Sequence, residues 1–157
     1  MNQAQARNYA RKRTMGATFI VLALLLFLSF LGEVKGDFPN GLLLFLGAVI
    51  NVHFLAILAI IFTLTFVFSG MAGREIILQQ RKFPPVALKY ALLITLAACA
   101  YIILISLQGM GSFSLKLQAG VILKRLLPFF LRTLILLSAV WLWAAYSMKS
   151  ATPKARP

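Results

Sequence analysis

A chain of 157 residues that is 61% AVILMFWYC, 12% charged and +0.91 in mean hydropathy is too apolar for an ordinary soluble domain, which is about 45–50% apolar and roughly 25% charged. Sixteen Lys and Arg against three Asp and Glu give a net charge of +13, but the cations fall in short bursts between long uncharged runs. That pattern is a membrane topology signal, and it argues against nucleic acid as a partner, because nucleic-acid binders gather their charge on one water-facing surface.

In chain order, residues 1–10 are polar with no apolar periodicity and are expected to fray. The first uncharged run predicts a span over 14–32. It has a basic start like a signal peptide, but Ser29-Phe30-Leu31-Gly32-Glu33 offers no small-residue cleavage site, so it reads as a retained helix. Asp37-Phe38-Pro39-Asn40-Gly41 is a turn by composition. The second run, from Phe38 to Gly73, is longer than one crossing of about 30 Å needs. With no proline, glycine pair or charge between Ile50 and Phe68, it predicts a single span over 49–71, preceded by an interfacial segment or a tilted extension.

Phe83-Pro84-Pro85 then breaks the next loop, and a third span is predicted over 88–108. Residues 112–125 mix polar and apolar positions as a short amphipathic helix on the membrane surface would. Pro128 suits a kink or the first turn of a fourth span over 126–148, and 149–157 reads as a flexible end. The fold expected is all-α: one membrane domain of four transmembrane helices.

Orientation follows from the cations. With the N-terminus inside, eleven of them lie inside: Arg7, Arg11, Lys12, Arg13, Arg74, Arg81, Lys82, Lys89, Lys149, Lys154 and Arg156. Lys35, Lys116, Lys124 and Arg125 lie outside. The excess belongs on the cytoplasmic side, so both termini are expected there, in a bacterial cytoplasmic membrane whose anionic headgroups attract the basic face.

Reactive groups are sparse. Cys99 alone cannot form an intrachain disulfide, a redox pair or a thiolate metal site, and reads as a small packing residue. Glu33 and Asp37 share an outer loop, Glu75 sits alone inside, and none of the three is expected within a span. His53 is the sole histidine. It could hydrogen-bond a quinone or ligate a haem together with a partner's histidine, but a contact to a neighbouring helix is the simpler expectation, and no cofactor is assigned. Asn51 is expected as an interhelical or interfacial residue. Ser69 and Gly73 at small-xxx-small spacing, with Ala97 and Ala98 in the third span, are expected to let helices pack closely.

Arg132 is the one cation inside a predicted span. Seven residues after Arg125 it shares that residue's helical face, and with Lys124 the pair is expected to meet an anionic group: a lipid headgroup, a ligand or a partner's carboxylate. Trp141, Trp143 and Tyr146 read as an aromatic belt. No nucleotide, zinc or serine-nucleophile motif is present, so catalysis is not expected. The leading expectation is a non-catalytic subunit, assembly factor or scaffold of a membrane complex, joined to other subunits or to copies of itself. A small oligomeric channel or transporter using Arg132, and a quinone- or lipid-modifying enzyme, are the alternatives.

Overall fold

The computed structural model of the protein describes residues 2–35, 38–108 and 115–150. Among these, five α-helices and one π-helical turn follow one another: α1 (Gln3–Val34), α2 (Phe38–Ile50), α3 (Val52–Gly73), a π turn (Arg74–Leu78), α4 (Phe83–Gln108) and α5 (Leu115–Ser150). Four segments are long and apolar enough to cross a membrane: Gln3–Val34, Val52–Leu78, Phe83–Ser106 and Leu126–Ser150. The chain is an integral membrane protein built as an all-α bundle. α1 packs on α3, α3 on α4, α4 on α5 and α5 back on α1, so chain neighbours are spatial neighbours and the ring closes.

The core lies at one end of the ring. Its buried residues come from the start of α1 (Ala6, Ala10, Ala17), the end of α3 and the π turn (Ala72, Ile76, Ile77), the first half of α4 (Val86, Ala87, Tyr90, Ala91, Ile94) and the end of α5 (Trp141, Ala144, Ala145, Met148). At the other end Leu24, Phe27, Leu28, Leu55, Leu104, Leu127, Leu131 and Ile135 are exposed. In lipid no hydrophobic drive joins one helix to another, so tight packing needs small residues that bring backbones together. α1 supplies a stripe of them one turn apart: Ala6, Ala10, Thr14 and Thr18 are all buried. Thr14 and Thr18 donate their hydroxyls to the carbonyls of Ala10 and Thr14, each at 2.9 Å, so neither leaves a polar atom bare at the contact.

This corrects the reading of residues 1–10 as a frayed end. Asn2 and Gln5 form a capping box, each side chain accepting from the other's backbone N–H at 2.8 and 3.0 Å, and α1 is helical from Gln3. Trp141 is likewise no part of a belt: it is fully buried, while Trp143 and Tyr146 are exposed. The surface helix expected before the fourth span is continuous with it, since α5 runs unbroken from Leu115 with Pro128 inside.

The second apolar run is divided. α2 folds back along the end of α1: a Cβ on Gly41 would strike the Glu33 carbonyl, and the Phe45 ring stands edge-on to Phe30 at 5.3 Å. At the other end Gly73 meets Ala10 and Ala6. Between these contacts the antiparallel register slips by about six residues, roughly 9 Å of helix at 1.5 Å each. Within that stretch the helix stops at Ile50 and restarts at Val52. Asn51 (ψ 125°) leaves helical geometry there, and its Oδ1 accepts from the N–H groups of His53 (2.9 Å) and Phe54 (3.3 Å). It is an exposed helix cap and not an interhelical contact. Asn51→Ala is expected to cost about 1 kcal/mol, as for other cap deletions, and more where lipid replaces water around the freed donors. Faster hydrogen exchange at His53 and Phe54 with α1 unchanged is the measurement that checks it.

Candidate functional site

Three polar side chains at the packed end converge on Glu75. The π turn widens the end of α3 and directs this carboxylate back toward α4, where its side chain is only 14% exposed. Such turns recur at functional positions in helices. The Tyr90 hydroxyl donates to Glu75 Oε1 at 2.5 Å, Lys89 Nζ donates to the same oxygen at 3.2 Å, and Arg81 Nη1 donates to Oε2 at 3.5 Å. The link between the helices is held by the same residue, because the Arg81 N–H donates to the Glu75 carbonyl at 3.0 Å. Gln80 turns the chain there with φ 51°.

Beneath the carboxylate, Tyr90 is almost fully buried. Its ring stacks on Phe68 at 5.2 Å and leans on Trp141 at 5.5 Å, so one aromatic column joins α3, α4 and α5. Arg11 completes the end from α1: its guanidinium lies 4.2 Å from the centroid of the Phe66 ring and passes beside Gly70. Cations favour the face of an aromatic ring, more so away from water. Arg11 Nε, Thr65 Oγ1 and the Trp141 indole N–H are buried with no hydrogen-bond partner among the described residues.

A shallow cavity of about 290 Å³ opens beside the carboxylate, lined by Glu75, Arg81, Lys82, Pro85, Val86 and Lys89. Three cations and one carboxylate leave it positive, but two of the cations already engage Glu75. Chemically the arrangement neutralises a carboxylate at the end of a span and satisfies its lone pairs. It is a latch between α3 and α4. Nothing in the residue types marked Tyr90 as its partner, because the two lie fifteen positions apart across a loop; only the fold brings them together. Glu75, expected alone in a loop and outside the spans, belongs to the Val52–Leu78 segment.

The residues singled out from sequence are not assembled into one site. Ser69 and Gly73 are buried where α3 meets α1; Ala98 is buried and Ala97 half-buried on α4. Ser69 donates to the Phe66 carbonyl at 2.9 Å. His53 is exposed on the first turn of α3. Lys124 and Arg132 are exposed on α5, and the side chain of Arg125 lies outside the described residues. Cys99 is buried beside an apolar groove between α4 and α5 that Leu96, Ile103, Leu127 and Phe130 also line. Compared with protein families, curated proteins and solved structures, the chain matches none of them.

Proposed function

We propose that this chain is a non-catalytic subunit, assembly factor or scaffold of a larger membrane complex, set in a bacterial cytoplasmic membrane with both termini in the cytoplasm. The observation that supports it is the uneven packing of the bundle. One end is closed by small residues and by the Glu75 latch, whereas in the apolar windows of the four spans only 11–33% is buried, leaving long helical faces open to other helices. The Glu75 carboxylate is engaged by Tyr90, Lys89 and Arg81, which suits holding a shape better than turning over a substrate. Arg132 fits the same reading. The ion pairs found among the described residues both belong to Glu75, so the counter-charge of Arg132 comes from a headgroup or from a partner. The orientation rests on the excess of Lys and Arg at the end where α1 begins and α5 ends.

Extraction in mild detergent followed by native mass spectrometry tests this. A stoichiometric complex with a different membrane protein is expected. Ile135→Trp, on the open end of α5, should disrupt that complex while leaving the helical circular dichroism unchanged, since a lipid-facing site accepts tryptophan and a packed interface does not. A lone monomer, or a homo-oligomer free of other chains, would overturn the proposal; the homo-oligomer is what a small channel or transporter predicts.

A further inference from the structure

We propose that the cleft between α1 and α5 at the closed end holds one anionic glycerophospholipid. The cleft measures about 420 Å³ and is lined on α1 by Lys12, Arg13, Gly16 and Ile20 and on α5 by Trp143 and Ser147, among others. Its volume lies within the range of small-molecule sites, roughly 300–1,000 Å³, enough for a headgroup with the start of an acyl chain. No carboxylate is among its lining residues.

The lining changes character along the helix axes. Lys12 and Arg13 immediately precede the uncharged run that begins at Thr14. Ile20 lies about 10–12 Å further along α1, and Trp143 about 6 Å further into α5 than Ser147, at 1.5 Å per residue. One mouth therefore presents two cations, and the floor beyond it presents isoleucine and the exposed indole of Trp143. A free phosphate would satisfy only the mouth; an amphiphile with a phosphate head satisfies both.

Two residues shape the site. Tyr9 closes its outer end: the hydroxyl donates to the Ser147 carbonyl at 3.4 Å, and the Arg13 guanidinium sits 5.4 Å from the ring centroid, which holds the cation at the mouth. Gly16 opens the groove, since a Cβ built there meets nothing within 4 Å. The adjacent Ala17 is buried in the core, so the wall of the cleft is anchored to the best-packed part of the bundle. The site owes nothing to the partner-subunit reading and stands if the chain is a monomer.

Trp143 supplies the readout, because Trp141 is buried inside the bundle. The full chain is reconstituted in phosphatidylcholine vesicles carrying, at one low mole fraction, either brominated phosphatidylglycerol or brominated phosphatidylcholine, and quenching of tryptophan fluorescence is measured. The anionic lipid is expected to quench at an effective concentration about fivefold or more above that of the zwitterionic one, the scale of a single cation's attraction to anionic headgroups. Lys12→Gln with Arg13→Gln should erase that preference, and Gly16→Leu should erase it by filling the groove. Lys149→Gln, which removes a nearby charge outside the cleft, should leave it intact. Equal quenching in the unaltered protein would overturn the proposal, as would a preference that survives Lys12→Gln/Arg13→Gln or one that Lys149→Gln also removes. Abolition by inorganic phosphate at matched ionic strength would overturn it too, by showing a free-anion site. Should Gly16→Leu fail to fold, the charge variants decide alone.

Discussion

Gly73→Val is expected to destabilise the bundle by about 3 kcal/mol, at the top of the usual range for overpacking a closed contact. A Cβ at Gly73 would stand 2.5 Å from the Ala10 Cβ and 2.8 Å from the Ala6 carbonyl oxygen. The second of these is backbone and cannot rotate away, so α1 and α3 must move apart, and with them the contacts through which Ala6 and Ala10 enter the core. Gly70, one turn earlier, is the control: a Cβ there meets the Arg11 Nε at 3.3 Å, the far end of a flexible side chain, and Gly70→Ala should cost well under half as much. Unfolding in mixed micelles of increasing sodium dodecyl sulfate, followed by circular dichroism, measures both. Equal effects at the two glycines would refute the close approach at Gly73.

Glu75→Ala is expected to cost about 2–3 kcal/mol, and the cost should come mainly from Tyr90. The cationic partners are 62% (Arg81) and 51% (Lys89) exposed, so water screens both pairs and each contributes only about 0–1 kcal/mol. Tyr90 is buried, and deleting its acceptor strands a hydroxyl, which costs about 1–3 kcal/mol. Glu75→Gln keeps an acceptor oxygen and should lose about half as much. Tyr90→Phe removes the hydroxyl together with its need, so adding Glu75→Ala to it should cost little more than the two exposed ion pairs. A double-mutant cycle on the same unfolding transition reads this coupling, and additivity of the two changes would mean that the Tyr90–Glu75 hydrogen bond does not hold α3 to α4.

The spans were legible in the sequence because lipid imposes a coarse rule, about twenty apolar residues per crossing, which composition alone can satisfy or fail. The break at Asn51 was harder to see. An asparagine is a good cap, but here it interrupts an uncharged run with no proline, glycine pair or charge beside it, and the two halves of the run meet α1 in different registers. Tertiary geometry of that kind leaves little local trace. The start of α1 misled for a related reason: Ala6 and Ala10 are separated by Arg7, Asn8 and Tyr9, so a stripe of small residues hides in a polar segment unless the partner helix is known. Ser69 and Gly73 were visible as one half of that contact. Trp141 and Trp143 share a composition signal and differ only in which way the helix turns them, and Glu75 and Tyr90 meet across a loop whose π turn no motif announces.

The concentration of packing at one end gives the bundle a mechanical polarity. Helices joined by small residues at one end and more loosely at the other are expected to yield to lateral stress at the looser end, because repacking small-residue contacts costs more than exchanging lipid along open faces. A tilt of about 10° about Gly73 would carry the far end of a 30 Å helix some 5 Å sideways, on the order of half a helix diameter. Changes in bilayer thickness or lateral pressure are therefore expected to displace Leu104 and Ile135 more than the residues around Glu75. On that expectation the bundle works like tongs hinged at its packed end.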